Sequence, residues 1–221
     1  MSAMDVMLFD LDGTLLDTAT DLHRALVRLL TEHDRPPIAL EQTRRHVSRG
    51  ARGLVRLAFG DVPNEAMLTS RLVDLYQQDI AAHSRAFDGM VEVLDALRSR
   101  GRRWGIVTNK LEALARRVVQ ECADAEQLTD ASVLIGGDTA GERKPHPAPL
   151  LLAADQLDAP VDRIVYVGDA PTDIAAGQRA GMQTVAVGWG YVPEDEASYE
   201  HWPADHHAAT PRDLLSLLDR L

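Results

Sequence analysis

Paired aspartates end the first apolar run of the chain. Asp10 and Asp12 follow the run VMLF at residues 6–9, and Gly13 and Thr14 come directly after them in LFDLDGTLLDT. Two carboxylates this close repel each other, and a strand has no structural need of them. Their spacing indicates that a cation, or a reaction that uses carboxylates, lies between them.

Polar residues also end or follow three later apolar runs. Thr108 and Asn109 end one of these runs, Lys144 lies in the loop beyond another, and Asp169 ends a third with Asp173 close by. The carboxyl ends of parallel strands meet at one edge of a sheet, where ligands bind. Clustered carboxylates suit Mg²⁺, and a hydroxyl with an ammonium group suits phosphoryl oxygens. Each piece alone is common in turns, but the combination predicts a magnesium and phosphoryl site.

Short apolar runs are predicted to be the strands that position these residues. They are apolar on both faces, as is typical of a parallel sheet covered by helices on each side. The segments between them have helical spacing, so the alternation indicates a doubly wound, Rossmann-like α/β fold. The predicted strands are residues 6–10, 103–109, 133–138, 164–169 and 184–187, and the predicted helices are 91–98, 111–120, 149–157 and 173–180.

One region breaks this alternation. Residues 18–86 contain no convincing strand and only helical patterns, which predicts an all-helical domain inserted after the first strand. The α/β core would then comprise residues 1–17 and 87–221. The two connections, near 17–20 and 86–90, are predicted to act as a hinge. The helical patterns of the insertion are at 22–30, 53–59 and 67–82.

Charge and composition exclude several classes of protein. The net charge of −11 argues against a non-specific binder of nucleic acid or of anionic membranes, because both need a basic surface. No stretch approaches the length of a membrane span, and the N-terminus lacks the pattern of a signal peptide. Cys122 is the only cysteine, which excludes an intrachain disulfide and favours a structural thiol. We expect a cytoplasmic monomer or homodimer that binds neither nucleic acid nor membrane.

Four motifs resemble those of the haloacid dehalogenase superfamily, in the same order. They are DLDGT at residues 10–14, Thr108 in IVTNK, Lys144 in RKPHP, and GDAPTD at residues 168–173. The helical insertion resembles the C1-type cap of that family, and the resemblance covers essentially the whole chain. It implies an α/β core whose helical cap determines substrate specificity.

The resemblance also implies magnesium-dependent phosphoryl transfer through an aspartyl-phosphate. Asp10 would be the nucleophile, and Asp12 would be general acid and then general base. Mg²⁺ would be held by the Asp10 carboxylate, the Asp12 backbone carbonyl and Asp169. Asp173 would be a further metal ligand, or would contact the residues that bind the metal and orient them. The phosphoryl group would be bound by Thr108, Lys144 and backbone N–H groups around Gly13 and Asn109.

The aspartate at position 12 favours a phosphatase within the superfamily. The dehalogenases lack an acidic residue there, because a halide leaves without being protonated. A sugar phosphomutase of the β-phosphoglucomutase type uses the same aspartate and stays open as an alternative.

The inserted domain carries the signals that bear on the substrate. The segment 47–60 resembles a glycine-bearing cap segment of phosphoglycolate phosphatases, in which Gly50 would allow close approach and Arg49 and Arg52 would meet a carboxylate. YQQDIAAHSRAFDGM at 76–90, WGIVTNK, and GYVPED with the tryptophan beyond it resemble the N-acetylmuramic acid 6-phosphate phosphatases instead. Both substrates are small phosphomonoesters with a carboxylate, so the arginines do not separate them. We expect a phosphoglycolate phosphatase-like enzyme, with the sugar phosphate as the alternative.

Overall fold

The computed structural model describes residues 4–192 and 197–220. Residues 193–195 of the GYVPED segment therefore lie outside the described residues. The strands are β1 Val6–Phe9, β2 Leu16–Asp17, β3 Arg85–Ala86, β4 Arg103–Val107, β5 Leu134–Ile135, β6 Ile164–Gly168, β7 Gln183–Val187 and β8 His206–Ala208. The helices are α1 Ala19–Glu32, α2 Leu40–Arg44, α3 Gly50–Phe59, α4 Glu65–Gln78, α5 Met90–Ser99, α6 Glu112–Glu121, α7 Ala125–Leu128, α8 Ala148–Gln156, α9 Pro171–Ala180 and α10 Asp213–Leu218.

Six strands form one parallel sheet in the order β5-β4-β1-β6-β7-β8. Every residue of β1 and of β6 is buried, because both faces of these central strands are covered. The chain order reverses direction at β1, which lies between β4 and β6. This reversal opens a crevice at the carboxyl ends of these three strands, where ligands of such sheets bind. The predicted doubly wound α/β fold is confirmed.

The sequence patterns located the central strands well and the edges less well. The strand β5 is limited to Leu134–Ile135, and the two glycines that follow it, Gly136 and Gly137, pack directly against the backbone of Glu112 and Asn109. The strand β8 was not predicted, since its sequence is HHA and only Ala208 is buried. It lies at the sheet edge and pairs with β7 alone.

The described residues between β2 and β3 form helices α1 to α4 and one 3₁₀ turn, Val47–Arg49. The two strands pair antiparallel with each other, Leu16 opposite Ala86 and Asp17 opposite Arg85. This short ribbon was not predicted, because two-residue strands leave no periodicity to detect. It joins both connections of the helical insertion at one place. The division of the chain at residues 18 and 86 stays a prediction.

The helical insertion and the sheet share one apolar core. Leu26 of α1 and Leu72 of α4 belong to the same buried cluster as Phe9 of β1 and Ile106 of β4. Cys122 is also buried in this cluster, as expected of a structural thiol. None of the helices in residues 4–192 and 197–220 is long and apolar enough to cross a membrane.

Candidate active site

Three strand ends bring the predicted core residues together. Asp10 follows β1, Thr108 follows β4 and Asp169 follows β6, and all three side chains are buried. Because β1 lies between the other two strands, Asp10 stands at the centre of the group. The predicted convergence at the carboxyl edge of the sheet is therefore seen in the structure.

Three carboxylates of this edge lie close together, and the ammonium group of Lys144 contacts two of them. Asp10, Asp169 and Asp173 each present an oxygen atom within 4.8 Å of the others. Lys144 Nζ donates to Asp10 Oδ1 at 2.8 Å and to Asp173 Oδ1 at 2.7 Å. One positive charge does not balance three negative charges, so the cluster has room for a further cation.

The electrostatics of Asp10 and Asp169 support this reading. Burial raises the pKa of Asp10 to about 6, and Lys144 only partly offsets that effect. Burial, with the neighbouring carboxylates, raises the pKa of Asp169 well above its ordinary value. A divalent cation would favour the charged form of both groups. The donor set, which contains only oxygen atoms, fits a hard cation such as Mg²⁺.

The two outer carboxylates differ in what holds them. Asp169 accepts a hydrogen bond from the Thr14 hydroxyl at 3.1 Å and one from the Tyr191 N–H at 2.7 Å. Asp173 accepts from Lys144 on one oxygen and from the Ala170 N–H, at 3.0 Å, on the other. One of the two bonds to Asp173 comes from the Lys144 ammonium, whereas those to Asp169 come from a neutral hydroxyl and a backbone N–H, so the contacts of Asp173 fit the orienting of Lys144.

Lys144 is fixed from several directions. Its Nζ lies 2.7 Å from the Tyr166 hydroxyl and 3.0 Å from the Val107 carbonyl. Its backbone exchanges two hydrogen bonds with the Asn109 side chain, each at 3.0 Å. The Asn109 side chain therefore positions Lys144, and any contact of Asn109 with a phosphoryl group would involve its backbone. Thr108 accepts from the Lys110 N–H at 3.2 Å.

Gly13 allows the loop after β1 to approach Asp169 closely. Its φ is +91°, and a Cβ atom there would collide with the Asp169 carboxylate. Its own N–H donates to the Leu16 carbonyl at 2.9 Å. In this structure the contribution of Gly13 is thus close approach of the backbone, and its N–H is engaged within the loop.

Asp12 lies beside Asp10 but has separate partners. Its Oδ1 accepts from the Thr18 hydroxyl at 2.6 Å and from Lys110 Nζ at 2.8 Å. Lys110 in turn lies over the ring of Tyr76, which comes from α4 of the insertion. The second aspartate of the pair therefore contacts Thr18, which directly precedes α1, and contacts α4 of the helical insertion through Lys110.

The predicted cap residues lie on the outer part of the insertion. Arg52 is exposed and pairs with Glu65 of the same insertion. Arg49 and Gly50 are also exposed, at the junction of the 3₁₀ turn and α3. The neighbouring Ser48 donates to the Tyr191 carbonyl at 3.2 Å, so this turn does face the core.

Sequence reasoning missed Lys110, Tyr76, Tyr166 and Tyr191. Tyr76 lies on α4, Tyr166 in β6 and Tyr191 in the loop after β7, and none of the three interrupts the pattern of its neighbours. Lys110 had a signal, because the chain contains only two lysines against 21 arginines. The side chains of both lysines are mostly covered and lie beside aspartates of this site.

Comparisons with known proteins show which enzymes this chain resembles. The family model of the haloacid dehalogenase-like hydrolases matches residues 7–187. The chain is 40% identical to an N-acetylmuramic acid 6-phosphate phosphatase of Pseudomonas aeruginosa, over 98% of this chain and 96% of that protein. It is also 40% identical to a phosphoglycolate phosphatase of Xanthomonas campestris, over 94% of this chain and 93% of that protein.

A solved structure shows the same fold. The crystal structure of a predicted phosphoglycolate phosphatase from Haemophilus somnus has a TM-score of 0.84 and 24% identity, over 98% of this chain and 99% of that one. Because the family model matches most of the chain, and because relatives of 40% identity are phosphatases over nearly their whole length, the assignment is direct. The chain belongs to the haloacid dehalogenase-like hydrolases and is a phosphatase of that family.

Proposed function

We propose that this phosphatase hydrolyses a small phosphomonoester through a phosphorylated Asp10, with Mg²⁺ as its cofactor. The observation that carries the proposal is the carboxylate cluster of Asp10, Asp169 and Asp173 against Lys144 at the carboxyl edge of the sheet. Phosphoryl transfer needs positioning and charge compensation more than covalent machinery, and this cluster offers both. Asp10, Asp169 and the Asp12 backbone carbonyl would hold Mg²⁺, which lowers the repulsion between carboxylate and phosphoryl oxygens when it is bound.

In the first half-reaction, an Asp10 carboxylate oxygen attacks phosphorus. The bond from phosphorus to the leaving oxygen breaks, and Asp12 gives its proton to that oxygen. In the second half-reaction, Asp12 takes a proton from water as the water oxygen attacks phosphorus. The bond between Asp10 and phosphorus then breaks, and inorganic phosphate leaves.

Thr108 and Lys144 would bind the phosphoryl oxygens during both steps. Lys144 is placed for this because its ammonium already contacts Asp10 at 2.8 Å. Backbone N–H groups near Gly13 and Asn109 are the remaining candidates for such contacts. Asp173 would hold Lys144 in place through the 2.7 Å bond between them.

For the substrate we propose a phosphorylated carboxylate, with 2-phosphoglycolate as the first candidate. The support is the named activity of relatives at 40% identity and the cap segment that carries Arg49, Gly50 and Arg52. N-acetylmuramic acid 6-phosphate is the second candidate, because a relative that matches 98% of this chain at 40% identity acts on that compound by name. We place the activity in the cytoplasm and the substrate specificity in the insertion, residues 18–86.

The test is a phosphate-release screen with and without Mg²⁺. It compares 2-phosphoglycolate, N-acetylmuramic acid 6-phosphate, hexose phosphates and nucleoside monophosphates, without any added bisphosphate. We expect one of the first two to be preferred and EDTA to abolish turnover. Full activity in metal-free buffer would contradict the magnesium assignment. Isomerisation of a hexose phosphate with no phosphate release would instead favour a phosphomutase.

A further inference from the structure

Lys110 donates hydrogen bonds to both carboxylate oxygens of Asp12, the second aspartate of the site. Lys110 Nζ donates to Asp12 Oδ1 at 2.8 Å and to Asp12 Oδ2 at 3.1 Å. The lysine side chain is only 8% exposed. Contact with both oxygens restricts rotation of the carboxylate about its own axis. The bond therefore fixes the orientation of Asp12 as well as compensating its charge.

A second donor acts on the same carboxylate from the hinge. The Thr18 hydroxyl donates to Asp12 Oδ1 at 2.6 Å, and Thr18 is fully buried. Among the described residues, Oδ1 thus accepts the two shorter hydrogen bonds, and Oδ2 accepts the longer one from Lys110. Oδ2 is the oxygen left to exchange a proton with a leaving group or with water.

A residue of the helical insertion covers Lys110. The ring centroid of Tyr76, on α4, lies 4.9 Å from Lys110 Nζ, which is the geometry of a cation–π contact. Tyr76 is buried, and its hydroxyl has no hydrogen-bond partner within residues 4–192 and 197–220. The face of the Tyr76 ring restrains Lys110, and the neighbouring hydroxyl lies close enough to the ammonium to help hold it.

The choice of lysine at this place stands out against the rest of the chain. Only Lys110 and Lys144 are lysines, whereas 21 positions carry arginine. Arginine presents a planar fork of five donors, and lysine is a compact charge with three donors that can turn. A compact cation can contact both oxygens of Asp12 and the face of Tyr76 at once.

We propose that Lys110 is a positioning residue for Asp12, kept in place by the ring of Tyr76. The inference rests on the proposed role of Asp12 as general acid and base. Lys110 acts through Asp12, because its ammonium is committed to that carboxylate and to the tyrosine ring. When Lys110 is lost, the Asp12 carboxyl group turns freely and meets the leaving oxygen less often.

The experiment measures kcat/KM over a series of leaving groups, because only poor leaving groups need a proton from Asp12. The series comprises 2-phosphoglycolate and aryl phosphates of increasing acidity, up to dinitrophenyl phosphate. For Lys110→Met we expect a loss of about 10²-fold on 2-phosphoglycolate and a much smaller loss on dinitrophenyl phosphate. Asp12→Asn should show the same pattern more strongly.

The double variant Lys110→Met with Asp12→Asn separates a positioning role from a general structural one. A residue that acts through Asp12 has nothing left to contribute once Asp12 is replaced. The double variant should therefore match Asp12→Asn across the whole series. Tyr76→Leu should show a smaller loss than Lys110→Met, graded in the same way with the leaving group.

Arg117→Met is the matched control. Arg117 is a basic residue of the core that donates to the Gln77 carbonyl of the insertion at 3.2 Å, directly beside Tyr76 in sequence. It contacts Glu121 and makes no hydrogen bond to Asp12. Its loss weakens a neighbouring contact between core and insertion, yet the dependence on the leaving group should stay that of the wild type.

Lys110→Arg and thermal melts test whether a loss of activity is caused by misfolding. Lys110→Arg keeps the charge but not the compact geometry, so it should retain the fold and still lose activity on 2-phosphoglycolate. Should Lys110→Met fail to fold, Lys110→Arg and Tyr76→Leu decide the question by the same series.

Three results would overturn the inference in distinguishable ways. Equal losses on all leaving groups, or losses that add fully to those of Asp12→Asn, remove Lys110 from the positioning of Asp12. If the loss of kcat/KM caused by Asp12→Asn does not depend on the leaving group, Asp12 is not the general acid. The inference about Lys110 is then wrong as well. A wild-type enzyme that releases no phosphate from any substrate contradicts the proposed function itself.

Discussion

Tyr191 joins Asp169 in the site to Asp17 at the end of β2. Its N–H donates to Asp169 Oδ2 at 2.7 Å, and its hydroxyl donates to Asp17 Oδ1, also at 2.7 Å. The same hydroxyl accepts from the N–H groups of Thr18 and Ala19. One buried side chain thus ties the start of α1 to a residue beside the carboxylate cluster.

The first prediction concerns this hydroxyl. Tyr191→Phe should lower the free energy of unfolding by about 1–3 kcal/mol, because buried polar groups lose their partner. Urea denaturation measures this. Tyr199→Phe is the control, since Tyr199 is only partly buried and contacts His207 through its ring, and it should change stability by less than about 0.5 kcal/mol. Equal effects of the two variants would contradict the role of the Tyr191 hydroxyl in the hinge.

The second prediction concerns Asp10 as nucleophile and as a buried charge. Asp10→Asn should abolish turnover and covalent phosphorylation. It should also raise the melting temperature in EDTA at pH 7.5, because burial opposes the charged carboxylate. A rise in pKa from 3.8 to about 6 means that the charged form of Asp10 destabilises the fold by about 3 kcal/mol at most. An Asp10→Asn variant that keeps appreciable turnover would identify another nucleophile.

The third prediction concerns pH. Since the folded pKa of Asp10 lies above its unfolded value, the folded state binds more protons between pH 3.8 and about 6. The contribution of Asp10 to the free energy of unfolding of the metal-free protein therefore falls as pH rises through that window. It does not fall further above the window. Mg²⁺ competes with protons for these carboxylates. The melting-temperature increase on adding Mg²⁺ should be larger at pH 7.5 than at pH 5, and the reverse order would contradict the assignment.

The core of the site could be predicted because the ends of buried strands can be recognised in the amino-acid sequence. A buried apolar run that stops at a polar residue fixes where that residue lies, so Asp10, Thr108 and Asp169 were placed together correctly. Contacts between distant loops leave no such trace. The bond from Tyr191 to Asp17 joins positions 174 residues apart, and neither residue interrupts a periodic pattern.

Specificity residues were the least predictable part. The glycine-bearing cap segment was recognised by resemblance, but the direction of its side chains depends on how α3 and the turn before it pack. The structure places Arg52 against Glu65, and it brings Arg44 instead to Asp17 at 3.0 Å and over the ring of Tyr191. An arginine in a helical pattern has several possible acidic partners, and sequence alone does not select among them.

The fourth prediction separates two arginines of this segment. Arg49 ends the 3₁₀ turn whose Ser48 contacts the Tyr191 carbonyl, so Arg49 lies next to a contact between the insertion and the core. Arg52 is one turn further on and pairs with Glu65 on the exposed side of the insertion. Arg49→Ala should therefore lower kcat/KM for carboxylate-bearing substrates more than Arg52→Ala does.

The expected loss for Arg49→Ala is about ten- to a hundredfold on 2-phosphoglycolate, which corresponds to one charge-assisted contact of about 1.5–3 kcal/mol. An aryl phosphate without a carboxylate should be affected much less, because it offers Arg49 nothing to bind. Arg52→Ala serves as the matched control, since an exposed ion pair contributes little. Equal losses on both substrates, or none on either, would remove Arg49 from substrate recognition. A larger loss for Arg52→Ala would mean that its pair with Glu65 breaks when substrate binds.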